Sequence, residues 1–565
     1  MRSAAKTLRP HGLGLKIGAT RRGETRCRAH DPAGPIFDEA LAVKRIPLLL
    51  GAFALARYFD ATLRPNRGAH DEPPASRSAL RPLEGSYAAT LIGAIIALSP
   101  FIVVTTAYAM FTRQVGSDIH ASPTALSIIA GLSTAGYAWG ALSGGDLVQR
   151  LPQRRVFFLA EALFVLGCFL SAVAHSTFLY GVGRILSGFA TGLLLVAALP
   201  PVIQKFPADK LPITVIFVNI GFFGAVCIGP LLGGWVAAGH HWRWFYGALG
   251  AIGATNLMLA FISLPDQKPF NPGLRFDFVA LLLGFAAVVL PFWAAGELTG
   301  HGFASAWFAA PLFVGLVCFV SLLLVEYHQR EALSPVKLMW TTQSVIGTVV
   351  AMIAGGIFVS LLELSERFHL QVLHRTPLQT GLLFWPLAVG VLITAVLFGV
   401  VLRTRLIPLF VLMGMALLII AGGLLLKVPA GGGSGLTLCA AGLLGLGAGA
   451  TVSPGLYLAG FPLQSQIIGR VFALVELVRS LADYIMAPVI MEIAREVSGK
   501  HLNAQGVHFG FWIAVMLTIG LTVAGTLLYV LGRGGLPRPD LETWLGRRGV
   551  AVAPTKLLAR LRAPG

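Results

Sequence analysis

Charged residues are scarce in this sequence, at 12% of 565 positions, whereas a water-soluble domain carries about a quarter. That shortage leaves too little polar surface for a soluble fold, and 56% of the residues are hydrophobic. Strict alternation of apolar and polar residues is also missing, which argues against a membrane β-barrel. Cysteine is nearly absent. Cys27 lies near the N-terminus and Cys168, Cys227, Cys318 and Cys439 in apolar runs, with no spacing that suits a disulfide framework or a metal. The histidines form no H-E-x-x-H pair, and there is no Gly-x-Ser-x-Gly elbow. Gly431–Gly433 lacks the strand–helix setting and the following Gly-Lys-Ser/Thr of a phosphate loop. No metal site, no cofactor and no enzymatic cluster is expected from these residues.

What the chain has in abundance is long apolar runs, recurring from about residue 88 to residue 531. About 20 apolar residues in a helix cross the hydrocarbon core. With no water there, each backbone group must bond within its own segment. The chain is therefore expected to be all-α, a polytopic membrane protein whose first partner is the lipid bilayer. About fourteen spans are predicted near 88–112, 124–145, 156–176, 178–203, 213–238, 243–264, 276–296, 304–326, 342–363, 378–401, 406–427, 434–457, 468–492 and 508–531. An even number puts both termini on one side. The short loops of that side carry twelve Lys/Arg, including Arg150, Arg154, Arg155, Lys205, Lys268, Arg275, Arg330 and Arg470; the other side carries seven, including Lys500. The bias of positive loops toward the inside then predicts cytoplasmic termini in a cytoplasmic (inner) membrane.

The net charge of +18 does not point to nucleic acid, because 12 of those charges sit in two tails, residues 1–87 and 532–565. Basic tails beside a helix bundle suit flanks near anionic lipid. Ile46–Phe59 is apolar but too short to span comfortably, and reads as an interfacial helix or a poorly ordered tail, with faint signal-sequence features. Pro73, Pro74, Ser76 and Pro82 mark a linker. The predicted organisation is a basic tail at 1–87, six helices at 88–264, a two-helix linker at 265–341, six helices at 342–531 and a second basic tail at 532–565.

Several segments carry polar or backbone-altering residues inside this apolar frame. The predicted loop after the second span holds Gly145, Asp146, Gln149, Arg150, Arg154 and Arg155, a short basic turn suited to pair with helix ends or lipid phosphates. Arg184 lies within the fourth span, where an arginine costs about 2.5–3.5 kcal/mol to insert and must face the bundle or a wet cavity. The alternative is a structural arginine held by backbone carbonyls. In the fifth span Gly224, Gly229, Pro230, Gly233 and Gly234 allow bending and close packing, and His241-Trp-Arg-Trp-Phe245 follows. Glu476, Arg479 and Asp483 share one stripe of the thirteenth span, so Arg479 reaches either acid. One reading makes Glu476 or Asp483 a proton carrier tuned by Arg479; the other is a permanent intrahelical ion pair. Glu161, Glu363 and Glu366 are weaker candidates, more often simple interface or packing residues.

These motifs resemble the major facilitator superfamily. Gly145, Leu147, Arg150 and Arg154 match its G-x-L-x-D-R-x-G-R-R loop, with Gln149 in place of the family's Asp and Pro152 in place of its Gly. Arg184 with Gly188 resembles the fourth-helix motif linked to proton coupling, and the Gly224–Gly234 run resembles the fifth-helix motif of the antiporting branch. The stretch Leu370–Leu382 is similar to one in fourteen-helix drug:proton antiporters, with His374 where they carry Gly. The first span departs from the pattern, having no Asp in Phe101–Thr106.

The resemblance covers about residues 88–531. It implies alternating access and export of small amphipathic, drug-like molecules in exchange for protons. It also implies that the loop lock is weakened, or rebuilt with Asp146, and it admits a periplasmic adaptor as partner. The rival readings are a proton-independent facilitator or exporter of a metabolite or siderophore and, disfavoured by the short loops, a polytopic membrane enzyme. Tyr137, Trp139, Phe222, Trp385 and Tyr484 are candidate aromatic walls for a substrate.

Overall fold

The computed structural model describes residues 82–265, 277–329, 332–429, 431, 433–499, 501–532 and 534–560. All lie in the larger of two compact units, Thr62–Gly565. Ile46–Phe59, Pro73, Pro74 and Ser76, and the loop charges Lys268, Arg275, Arg330 and Lys500, lie outside the described residues.

Among the described residues, fourteen long helices run through the apolar segments: α1 Tyr87–Asp118, α2 Pro123–Arg150, α3 Gln153–Ala172, α4 Thr177–Gln204, α5 Leu211–Gly239, α6 Trp242–Ser263 and α7 Phe278–His301. They continue with α8 Ala306–His328, α9 Thr342–Arg367, α10 Pro377–Val401 (interrupted by a turn at Phe384), α11 Ile407–Leu425, α12 Ser434–Gly460, α13 Ile468–Ser498 and α14 Ala504–Leu531. Thirteen are long and apolar enough to cross a membrane; α13 is long enough but too rich in charge to qualify by composition. Among the described residues there is no strand, only the isolated bridges Thr341–Lys556 and Gln464–Val550.

The helices start where a side chain can replace the missing turn. Ser86, Ser122, Ser176, Asp277, Ser305, Thr341 and Asn503 each accept a first-turn backbone N–H, and Thr376 with Gln379 forms a reciprocal capping box. Several helices run past their predicted ends. α2 continues to Arg150, so Gly145, Asp146, Gln149 and Arg150 belong to its last turns rather than to a loop, and only Leu151 and Pro152 separate it from α3. Hydropathy misses these turns because they are polar yet still hydrogen-bonded along the helix.

Packing repeats along the chain. α1 lies on α4, α5 and α6, α2 on α4, and α3 on α4 and α6; eight helices later, α9 lies on α12, α13 and α14, α10 on α12, and α11 on α12 and α14. The two six-helix sets meet reciprocally, α5 against α10 and α13 against α2. The inserted pair hangs on this seam: α7 packs on α2 and α13, Trp139 Nε1 of α2 donates to Leu281 O of α7 (3.1 Å), and Phe292 stacks on Tyr484. In lipid, close approach replaces the hydrophobic drive. At Gly192 of α4 an added Cβ would collide with Tyr137 O of α2, so this crossing admits no side chain there.

Chain alternation puts the starts of the odd-numbered helices and the ends of the even-numbered ones on the side of the C-terminal tail. On the opposite side Trp235, Trp244, Trp307, Trp385 and Trp512 are exposed near helix ends, the arrangement of an interfacial aromatic belt. The tail itself is docked. Residues 541–545 form a one-turn helix, α15 Leu541–Leu545, whose Trp544 is fully buried. Trp544 Nε1 donates to Leu463 O (2.7 Å), Ala551 and Val552 donate to Phe461 O, and Thr342 N donates to Thr555 O (2.9 Å).

Candidate functional site

The thirteenth helix carries its charged stripe into the seam between the two sets. Arg479 sits between Glu476 and Asp483, pairing with both; its Nε donates to Glu476 Oε2 at 3.0 Å, and its two terminal nitrogens reach Glu476 Oε1 and Asp483 Oδ2. Glu476 and Asp483 are buried. At about 1.5 Å per residue, Glu476 is about 12 Å and Asp483 about 22 Å from the helix start, well within the hydrocarbon. Tyr137 of α2 closes the arrangement by donating its hydroxyl to Glu476 Oε1 at 2.9 Å. α9 makes room at Gly355, where a Cβ would lie 2.5 Å from Asp483 Oδ1.

The ion pair expected within α13 is therefore present, and α2 and α9 enclose it. The two acids differ in one respect. Both Glu476 oxygens have donors, whereas Asp483 Oδ1 has no hydrogen-bond partner among the described residues. An unpaired buried carboxylate oxygen is costly, and protonation is the usual relief. Tyr137 was expected only as an aromatic wall. Its hydroxyl contact spans 339 positions, and no local pattern announces it.

Arg184 lies within the first six-helix set, in an aromatic enclosure made by α1 and α6. Its guanidinium carbon sits 5.7 Å from the Phe101 ring centroid, 5.5 Å from Tyr108 and 5.9 Å from Tyr246. Phe101 in turn stacks on Tyr137 at 5.7 Å, so aromatic contacts connect Arg184 to the α13 cluster. The reading of Arg184 as held by backbone carbonyls finds no support among the described residues: its Nε has no partner.

The basic motif at the end of α2 makes contacts within its own helix. Arg150 pairs with Asp146 of its own helix at 2.8 Å, and Gln149 turns back to Gly145 O. Arg154 lies over Phe158 and Phe261, and Arg155 is exposed. Gly145 faces Ala473 and Arg470 of α13, so this end of α2 closes against the second set. Gln204 of α4 adds a bond to Ser465 O at 2.5 Å, and Arg403 donates to Ala208 O at 2.8 Å.

On the other side the α5 motif makes the closure. Gly229 and Gly233 lie against Thr106 and Ala107 of α1, and Gly234 faces Pro377 O of α10, where a Cβ would sit 2.6 Å away. Pro230 O is 2.5 Å from where a Cβ on Gly381 would be. Gly224 is a correction: nothing lies within 4 Å of its missing Cβ, so it is not a packing glycine here. Nearby, His374 adopts φ +51°, the left-handed conformation in which glycine carries no penalty. A shallow cleft between α1, α3, α4 and α6 is lined almost entirely by apolar residues such as Ala94, Phe157 and Ala260. It offers little to orient a ligand, and the chemistry lies elsewhere.

Comparison with known proteins fits this architecture. Residues 90–487 match the Major Facilitator Superfamily. Among curated proteins, an uncharacterized MFS-type transporter of Bacillus subtilis, YubD, is 26% identical over 278 residues, covering 48% of this chain and 53% of the relative. The multidrug export protein EmrB of Haemophilus influenzae is 22% identical, covering 43% and 48%. The putative multidrug resistance protein MdtD of Escherichia coli is 26% identical, covering 43% and 52%. The chain thus spans about half the length of the curated relatives it matches. The proton:xylose symporter XylE superposes with a TM-score of 0.56 at 14% identity, over 84% of this chain and 99% of that one. A POT family transporter gives 0.57 at 12%, over 78% and 95%. At such identities the superpositions speak for the fold alone. The relatives and neighbours named here are transporters rather than enzymes.

Proposed function

Because the chain belongs to the major facilitator superfamily, we propose that it exports small amphipathic, drug-like molecules in exchange for protons. The direction rests on relatives named for multidrug resistance or export. The exchange rests on one observation: a buried carboxylate pair bridged by Arg479, held between α13, α9 and α2, with one oxygen of Asp483 unpartnered.

In this reading the two six-helix sets, 88–264 and 342–531, rock about the seam that contains the cluster. Both sides are closed by small-residue and backbone contacts, which break and re-form cheaply: Gln204–Ser465 and Arg403–Ala208 on the tail side, α5 against α10 on the other. A proton entering from outside binds Asp483 and weakens its hold on Arg479. Arg479 then stays with Glu476, which Tyr137 keeps in place from α2. Proton loss to the inside restores the pair. One charge moving down 100 mV yields about 2.3 kcal/mol, roughly a fifty-fold concentration ratio for the exported molecule. The positive loops and the two basic tails support cytoplasmic termini in an inner membrane, an orientation with which a periplasmic adaptor is compatible.

The test uses purified protein in proteoliposomes with an imposed pH gradient. Asp483→Asn is expected to abolish gradient-driven transport while preserving exchange of substrate for substrate. Glu476→Gln should slow both. Unchanged gradient-driven transport in both variants would remove α13 from coupling and favour the proton-independent reading.

A further inference from the structure

The buried cation of α4 has no anion. Arg184 is 2% exposed, and among the described residues no carboxylate lies within ion-pair distance of it. Buried charges are ordinarily paired, because desolvation is repaid only by an opposite charge and good hydrogen bonds. The rings of Phe101, Tyr108 and Tyr246 attract the guanidinium through their faces, yet they bring no net negative charge.

The surroundings of Arg184 are rich in donors. Among the described residues the Tyr108 hydroxyl has no hydrogen-bond partner, and neither has Arg184 Nε. Tyr180 and Tyr246 hydroxyls bond to each other at 2.8 Å, which uses one of their two protons. Trp242, in edge contact with Tyr180 and Tyr246, gives its N–H to Asp118 at the helix end. Glu363 pairs with Arg367 at 3.4 Å, and the buried Glu161 and Glu366 form no ion pair with Arg184 among the described residues. The position borders the seam: Phe101, which faces Arg184, stacks on Tyr137, which donates to Glu476 of α13.

We propose that Arg184 and the Tyr108 hydroxyl form a receptor for the anionic group of the transported molecule, which makes organic anions, aromatic carboxylates among them, the class of substrate. The guanidinium fork matches a carboxylate with two parallel N–H bonds, and Tyr108 supplies a third donor. The apolar remainder of the molecule lies along the aromatic residues of the seam. This assignment deepens the transport reading by naming what is carried. It is tested by binding alone, without a gradient, so failure of export and failure of anion recognition are separate results.

The probes are 1-naphthoate, the neutral isostere 1-naphthamide, and chloride, titrated against the full-length detergent-solubilised protein by microscale thermophoresis. Wild type is expected to bind naphthoate at least about tenfold more tightly than naphthamide, the worth of a charge-assisted bond lost. Arg184→Gln should erase that preference, and Tyr108→Phe should reduce it about three- to tenfold. Arg184→Lys keeps the charge without the fork and should retain part of it, which also covers the case of a poorly folding glutamine variant. Equal binding of naphthoate and naphthamide would overturn the assignment. So would a preference that survives in Arg184→Gln, or displacement of naphthoate by millimolar chloride, which would mark the site as one for small inorganic ions.

Discussion

Replacing Trp544 by alanine should release the C-terminal tail from the bundle while leaving the bundle folded. The indole is fully buried, stands edge-on to Phe461 with ring centroids 5.2 Å apart, and donates to Leu463 O at 2.7 Å. The site lies on the water side, so the ordinary cost of truncating a core tryptophan applies, about 3–5 kcal/mol. That cost includes the Leu463 carbonyl left without its donor, about 1 kcal/mol. At about 1.4 kcal/mol per tenfold, the open-tail population should rise by a factor of roughly 100 to 4,000. The amides of Ala551 and Val552 report it directly, because both donate to Phe461 O in the docked state. Hydrogen exchange read by mass spectrometry should show their protection falling by about two to three and a half orders of magnitude, with α12 and α13 unaffected. Protection of the tail peptide unchanged in Trp544→Ala would refute the claim that this side chain holds the segment down.

Three further outcomes are expected. Lys205, at the end of α4, is exposed, yet partial desolvation by the surrounding helix ends pushes its amine down to about 8. Its acylation rate should therefore rise through pH 8 rather than above pH 10. Since the unfolded chain still holds that proton, stability should increase between about pH 8 and the unfolded value near 10.5, and Lys205→Met should flatten that slope. His374→Gly removes a left-handed non-glycine residue and should stabilise the protein by about 1 kcal/mol, read as a higher midpoint in thermal unfolding. Gly355→Ala puts a methyl 2.5 Å from Asp483 Oδ1; a loss of about 1–3 kcal/mol is expected, and unchanged thermal stability would show that α9 yields there at no cost.

The fourteen apolar runs were legible because each satisfies its backbone within its own segment. The structure has a long helix at every one, including α13, whose charges disqualify it by composition alone. Helix ends were less legible. α1 extends to Asp118 and α2 to Arg150, past the apolar runs, since helical bonding continues where lipid has already given way to headgroups and water. The α13 stripe was legible as a possible ion pair because three and four residues along a helix bring side chains together. The glycine motif of α5 was legible as packing, but not its partners, and Gly224 proved to face nothing.

Local chemistry, then, decided how many helices there are, roughly where they lie, and that Glu476, Arg479 and Asp483 meet. Those outcomes depend on residues within a turn or two of each other. Tertiary structure alone decided that Tyr137 donates to Glu476 across 339 positions, that Trp544 is buried rather than trailing in water, and that Arg184 is surrounded by rings and no carboxylate. These contacts join segments that are independent in the chain, so only the packing of whole helices, one against another, could assign them.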